Sequence, residues 1–282
     1  MITYKRIFAL LTALFLLAMP YAASAAEIGQ PITVVTEEGV LLPNSYLIEG
    51  TTYVPFRAFC DAFGIGGQVG WQEKTRTATY TAEGLEIEAQ IGQPYLTANG
   101  RILFRNAENK LIGGRTYVPV RALAAAFDRE VTWRDGTEAS DRRVTLSGRS
   151  RAIANAEEFY DAESLFWLAR VIRAEAEGEP LLGKIAVGNV VMNRVASELF
   201  PDTVYEVIFD TRGGSVQFYR PGDVHVQKEP TAECLLAAKI CLEGYSVSNQ
   251  ALFYLNPRIA TSFWIVQNRS YLFSIGLHDF YA

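Results

Sequence analysis

The sequence predicts an α+β chain, with a β-rich first half and a helical second half that closes in short strands. Three features predict it. A strand–helix–strand–strand unit occurs twice between residues 31 and 147, helical periodicity runs from 161 to 243, and β-prone aromatic segments follow residue 250. The 282 residues are 49% apolar and 20% charged, which excludes a wholly disordered chain and leaves room for one large domain or two moderate ones. A net charge of −5 argues against nucleic acid as the main partner, because phosphate binding relies on clustered Lys and Arg.

Residues Met1–Ala25 read as a secretory signal. Lys5 and Arg6 begin it, Ile7 to Met19 is apolar apart from Thr12, and Ala23-Ser24-Ala25 offers small residues for cleavage. The alternative is an uncleaved anchor, but a bilayer span needs about 20 apolar residues and this run has 13. No later stretch is apolar enough to cross a membrane, so the expected mature protein is exported and soluble. Export would permit disulfides, yet the cysteines are only Cys60, Cys234 and Cys241. Cys234 and Cys241 fall on one predicted helix about 10 Å apart along its axis, too far for the roughly 7 Å limit of a disulfide. All three are expected to be small buried apolar residues.

The repeat begins Thr52-Tyr-Val-Pro-Phe-Arg-Ala58, continues to Ala62-Phe63 and ends Val69-Gly70-Trp71. It recurs as Thr116-Tyr-Val-Pro-Val-Arg-Ala122, Ala126-Phe127 and Val131-Thr132-Trp133. In each unit a β segment ends at Pro55 or Pro119, and Pro suits the start of the helix expected over 56–63 or 120–127. A Val-x-Trp strand follows, then a second one near Thr77–Thr81 or Arg143–Leu146. Arg57 and Arg121 could bind an anionic polymer or simply pair within the fold. This unit, spanning roughly 31–147, resembles the copper amine oxidase N-terminal-like "stalk" module of exported bacterial proteins. Copper favours imidazole or thiolate, and this half has no histidine and one cysteine, so the resemblance implies adhesion or spacing and no metal cofactor. The polar, small-residue stretch 148–160 reads as a linker.

From Asp161 the pattern turns helical. Asp161 or Ser164 can cap a helix that Gly178 and Pro180 terminate. Leu165, Leu168, Val171 and Ile172 form its apolar stripe, and Glu175 continues that stripe while Glu177 faces the other way. A carboxyl group on an apolar face suits a proton donor, since desolvation favours the neutral acid; the alternative is a solvated helix end. A second helix, about Leu181–Ser197, is apolar on most sides and belongs at the centre of the core. A short helix near Val204–Ile208, a loop over 211–223 and a third helix from about Thr231 to Glu243 follow. The end reads as strands at Ala251–Leu255, Trp264–Gln267 and Tyr271–Ser274.

The second half, 161–282, resembles the SleB-type cell wall hydrolases, the spore-cortex-lytic family. The resemblance rests on Leu-Ala-Arg-Val-Ile-x-Ala-Glu175-Ala, Gly183 to Asn193-Arg194, Gln217-Phe218, Phe253-Tyr254-x-Asn256-Pro257, Ala260-Thr261-Ser262 and Ile275-Gly276-x-His278-x-Phe280-Tyr281. It departs from the family at Tyr219-Arg220-Pro-Gly-Asp, where a Ser-Pro run is usual, and at Leu255, where an aromatic is common. The resemblance implies a lysozyme-like fold with a small antiparallel sheet, cleavage of peptidoglycan glycan strands and a catalytic Glu175. Candidate substrate contacts are Gln217, Phe218, Tyr219, Tyr254, Asn256, Ser262, Trp264 and His278: the aromatics for stacking on sugar rings, the amides and hydroxyl for N-acetyl groups. Core packing is the competing reading for each aromatic, and a structural role for His278.

Ordinary glycosidases pair two carboxylates about 5 Å or 6.5–9.5 Å apart. Glu177 is on the wrong face and Glu179 lies past Gly178, so one acid is well placed. The resemblance implies lytic transglycosylation, in which that acid protonates the leaving oxygen and then deprotonates the muramic 6-hydroxyl, giving a 1,6-anhydro end without water. The alternatives are an N-acetylmuramoyl-L-alanine amidase, disfavoured because zinc sites need several ligands and only His225 and His278 exist, and a non-catalytic wall-binding protein. Peptidoglycan is the expected partner, with an accessory spore or wall protein as a second candidate. The expected location is the cell wall or spore envelope.

Overall fold

The computed structural model describes residues 28–136, 142–214 and 216–282; the expected signal, 1–25, lies outside them. The chain is a mixed helix-and-sheet protein. Its first half contains β1 (Gln30–Pro31), β2 (Thr33–Thr36), β3 (Leu41–Leu42), β4 (Tyr46–Ile48), β5 (Thr51–Pro55), α1 (Phe56–Phe63), β6 (Gln68–Gln72), β7 (Thr77–Ala82), β8 (Leu85–Gln90), β9 (Tyr95–Ala98), β10 (Arg101–Phe104), β11 (Lys110–Ile112), β12 (Arg115–Pro119), α2 (Val120–Ala126), β13 (Glu130–Arg134) and β14 (Arg143–Ser147). They form sheets ordered β1-β4-β5-β12-β11, β10-β9-β8-β7-β6 and β13-β14-β2-β3.

The alternation that makes a half-buried strand is plainest in β8, where Leu85, Ile87 and Ala89 are buried and Glu86, Glu88 and Gln90 are exposed. Strands β5 and β12 carry the two Tyr-Val-Pro segments and pair antiparallel, with Val54 opposite Val118. Each ends in a proline whose extended backbone opens a helix: φ −66° and ψ 121° at Pro55, φ −56° and ψ 124° at Pro119. The helices then bury Phe56, Phe59 and Phe63, or Val120, Leu123 and Ala126, in one core.

The second half contains α3 (Ala156–Phe159), α4 (Ala162–Ala176), α5 (Leu181–Val195), α6 (Val204–Ile208), α7 (Val224–Gln227), α8 (Ala232–Leu242), β15 (Phe253–Leu255), α9 (Trp264–Asn268), β16 (Tyr271–Ile275) and β17 (His278–Tyr281). The Asp161 carboxylate accepts from the Ser164 N–H to cap α4. In α5 every residue from Gly183 to Val191 is buried, as befits a helix surrounded by protein. Gly188 lets it approach closely, since a Cβ there would stand 2.7 Å from Cys241 Sγ and 2.8 Å from Ile172 Cδ1. The strands form an antiparallel sheet ordered β15-β17-β16. All three cysteines are buried and free.

One expectation needs correction. Residues 264–267 belong to a helix, α9, not a strand: a short apolar run such as Phe263–Val266 carries no usable period, and local hydrogen bonds decide the outcome, with Ser262 Oγ accepting from the Trp264 N–H and the Asn268 side-chain amide donating to the Trp264 carbonyl. Residues 148–160, read as a linker, make contacts of their own. Asn155 caps α3, and the buried Tyr160 hydroxyl accepts from the Ile102 N–H while donating to Glu243. Ile102 and Phe104 from β10 enter the same apolar core as α4, α5 and α8, so the two halves share a packed interface.

Candidate active site

Helix α4 ends at Ala176, and its last turn sets Glu175 half-buried at the edge of a cleft of about 790 Å³. The cleft is walled by Phe218 from the 211–223 loop, Phe253 and Tyr254 from β15 and Trp264 from α9, with Arg194 at its base. Glu175 is the only acidic side chain lining it among the described residues.

The Tyr254 hydroxyl donates to Glu175 Oε2 at 2.9 Å, which leaves Oε1 for other partners. Burial, and then the neighbouring Glu175 charge, push the Tyr254 phenol well above its ordinary range. The same two causes raise Tyr219. Both phenols therefore stay protonated, and Tyr254 serves Glu175 as a hydrogen donor.

Arg194, in the last turn of α5, is buried and donates to the Leu252 carbonyl at 2.8 Å and to Gln217 Oε1 at 3.3 Å. Its guanidinium lies 4.8, 5.0 and 5.3 Å from the ring centres of Phe200, Phe218 and Phe253. Burial lowers it to about 10, so it remains a cation at neutral pH and fixes three aromatic walls at once.

Behind this layer stands Glu179, just beyond the Gly178 that ends α4 and 6% exposed. Its Oε2 accepts from the Leu277 N–H at 3.0 Å, and its Oε1 lies 3.5 Å from His278 Nδ1. Burial lowers the His278 pKa against the opposing pull of Glu179, and the ring meets Tyr254 edge-on at 5.2 Å. Gly276 permits the contact: its φ is +60°, and a Cβ there would stand 1.7 Å from Glu179 Oε2. His278 thus packs against Tyr254, which in turn holds Glu175, while Glu179 fixes the neighbouring Leu277 backbone.

Of the residues proposed from sequence, Glu175, Gln217, Phe218, Tyr254 and Trp264 meet at the cleft. Tyr219 sits beside Glu175 but stacks on His225 at 6.2 Å. Three do not face it. Asn256 Oδ1 accepts from the Arg258 N–H and closes a turn, Ser262 Oγ accepts from the Trp264 N–H just before α9, and His278 is buried behind Tyr254. Short polar residues beside Pro or at a helix start satisfy their own backbone first. Sequence reasoning overlooked Arg194, although it lies in a quoted motif, and discounted Glu179. His225 is paired with Asp223, far in role from His278, and no group of three His, Cys, Asp or Glu side chains among the described residues is placed to hold a metal.

Both halves of the chain are similar to known proteins. Residues 35–140 match the copper amine oxidase N-terminal domain and 178–281 the Cell Wall Hydrolase family, whose match begins three residues after Glu175. The spore cortex-lytic enzyme of Oceanobacillus iheyensis is 37% identical over 126 residues, 45% of this chain and 44% of the relative. That of Bacillus cereus is 32% identical over 178 residues, 58% of this chain and 67% of the relative. The solved catalytic domain of the germination-specific lytic transglycosylase SleB from Bacillus anthracis is 33% identical, covers 46% of this chain and all of that domain, and gives a TM-score of 0.39. With its first half matching the stalk module and its second the hydrolase that these relatives share, the chain belongs to the SleB-type, spore-cortex-lytic family of cell wall hydrolases.

Proposed function

We propose that this protein is an exported enzyme that cuts peptidoglycan glycan strands between N-acetylmuramic acid and N-acetylglucosamine by lytic transglycosylation, with Glu175 as the sole acid/base. In this reading 31–147 is the stalk module, 148–160 its connection and 161–282 the catalytic domain with a lysozyme-like fold. The substrate named for the relatives, spore cortex, is the proposed target, during germination, at the wall or spore envelope.

The observation that carries the reading is that one carboxyl group, Glu175, lines the cleft among the described residues. Hydrolysis by inversion or retention needs a second carboxylate to activate water or to form a glycosyl ester. A single acid suffices when the nucleophile is the substrate's own hydroxyl. Glu175 Oε1, free of Tyr254, donates its proton to the glycosidic oxygen, and the C1–O bond breaks. The resulting carboxylate, held at Oε2 by the Tyr254 hydroxyl, takes the proton of the muramic 6-hydroxyl as that oxygen closes on C1. Proton and bond count balance with no water consumed. Trp264 and Phe253 offer apolar faces for sugar rings, and Gln217, oriented by Arg194, offers its amide to an N-acetyl group.

Mass spectrometry of products from cortex and from vegetative wall tests this. Wild type should release fragments one water lighter than hydrolytic ones, and Glu175→Gln should release about a thousandth as much or less, in line with loss of an acid/base group. Free stem peptides that vanish with a chelator would instead establish an amidase, and no release by the wild type would leave a wall-binding protein.

A further inference from the structure

The first half contains two clefts that share Pro, Arg, Val and Trp at equivalent repeat positions. One, of about 520 Å³, is lined by Pro55, Arg57, Val69 and Trp71 from the first repeat and by Arg115 and Thr116 from the second. The other, of about 410 Å³, is lined by Pro119, Arg121, Val131 and Trp133 from the second repeat and by Thr51 and Thr52 from the first, with Arg105 beside them. Each is therefore built from both repeats, as the antiparallel pairing of β5 with β12 about Val54 and Val118 requires.

The duplication keeps more than packing residues. Each cleft holds two guanidinium groups and one indole, the first also the Asp61 carboxylate, so it carries one net positive charge and the second two; the indoles are 41% exposed at Trp71 and 39% at Trp133. They stand on β6 and β13, whose burial patterns coincide: the valine is half-buried and the tryptophan two residues on, on the same strand face, is exposed. The Trp71 N–H donates to Glu73 at 2.6 Å, which fixes the plane of the ring. Arg57 has no hydrogen-bond or ion-pair partner among the described residues, while Arg121 gives one N–H to the Val131 carbonyl and Arg105 binds the Phe104 carbonyl. A flat, fixed aromatic face suits the C–H face of a sugar ring. Paired guanidinia suit a carboxylate, and they do so on a chain whose net charge is −5, where they are not part of a general basic surface.

We propose that these clefts are twin binding sites for carboxylate-bearing glycan, that is, for the peptidoglycan strand itself, with Trp71 and Trp133 as the stacking platforms and Arg57 with Arg115, and Arg121 with Arg105, as carboxylate partners. The first half then holds the substrate polymer and does not merely space the catalytic half. A polyol phosphate polymer would satisfy the arginines but gives the indoles no ring to cover. The choice of polymer rests on the reading of the Glu175 cleft; the sites do not.

Binding of the full-length Glu175→Gln protein to washed, insoluble peptidoglycan tests this without cleavage. Trp71→Ala and Trp133→Ala should each weaken binding about fivefold, and the double variant by more than tenfold, since two sites on one polymer act together. On the wild-type background the same double variant should cleave a short soluble glycan fragment at an unchanged rate. Trp71→Phe and Trp133→Phe keep a stacking face and should retain most of the binding, which guards against misfolding. Unchanged binding by the double alanine variant overturns the proposal, as does binding that disappears when polyol phosphate polymers are stripped from the wall. Failure of wild-type cleavage with binding intact would strike the Glu175 reading alone.

Discussion

Gly276→Ala isolates the brace behind the active site. Position 276 has φ +60°, where an L side chain costs about 1–2 kcal/mol. The added Cβ would also stand 1.7 Å from Glu179 Oε2 and 2.9 Å from its Cδ. No rotation of a terminal group relieves that, so the carboxylate leaves its site and the Leu277 N–H loses its acceptor. A hydrogen bond to a charged group is worth about 1.5–3 kcal/mol. The sum is about 3–5 kcal/mol, or a fall in melting temperature of roughly 10 °C at 2–4 °C per kcal/mol. Gly244→Ala is the matched control, because Gly244 also has positive φ, +82°, but nothing within 4 Å of its virtual Cβ; it should lose only about 1 kcal/mol. Thermal unfolding of both variants reads the difference. Equal losses would refute the brace, as would failure of Glu179→Ala to abolish the excess penalty at 276. Glycan cleavage by Gly276→Ala should fall well below that of Gly244→Ala at a temperature where both are folded, because Tyr254 loses the edge contact with His278.

Other outcomes follow from the same geometry. Tyr254→Phe keeps the wall of the cleft but removes the donor to Glu175, so kcat should fall by about tenfold to a hundredfold with little change in KM, measured on soluble fragments. Arg194→Met leaves three rings without their cation and the Leu252 carbonyl without its donor, and should cost about 3 kcal/mol in denaturant unfolding as well as activity. His278 has its folded pKa lowered below the unfolded value near 6.5, so the unfolded state binds more protons below that pH. Its contribution is therefore fully present above about pH 6.5 and is lost as pH falls towards the folded pKa; His278→Gln should flatten the stability profile in that window, and an unchanged slope there would remove the histidine from the acid sensitivity.

The features legible in sequence were those fixed by local chemistry. Pro55 and Pro119 mark strand-to-helix junctions wherever they occur, Asp161 announces α4, and nine buried residues in α5 follow from a helix apolar on most sides. Glu175 was legible because its phase on α4 is a property of one helix. Glu179 was not, because its meaning comes from Leu277 and His278, which return to it from the far end of the chain. A residue past a helix stop reads as loop until the partner that buries it is known. Asn256 and Ser262 differ in the opposite way: the hydrogen bonds they accept are local, from Arg258 and Trp264. Trp264 was placed at the site by residue type while its strand was wrong, since an apolar run of four fits either period.

The interface between the halves decides whether the stalk module can act on catalysis at all. Arg101 forms a two-pronged pair with Glu243, at 2.9 and 2.8 Å, and Tyr160 donates to the same carboxylate at 2.8 Å. Phe104 meets Tyr245 edge-on at 4.6 Å, and Ile102 joins the apolar core of the helices. Burying Ile102 and Phe104 contributes about 1.5–3 kcal/mol each, while an unpaired Arg101 would cost about 3–5 kcal/mol. Contacts of that size do not open on the timescale of a flexible tether. Polymer held at the twin clefts would therefore be presented to the Glu175 cleft at a fixed angle, so the spacing between bound strand and cut site is set by the fold and not by linker length.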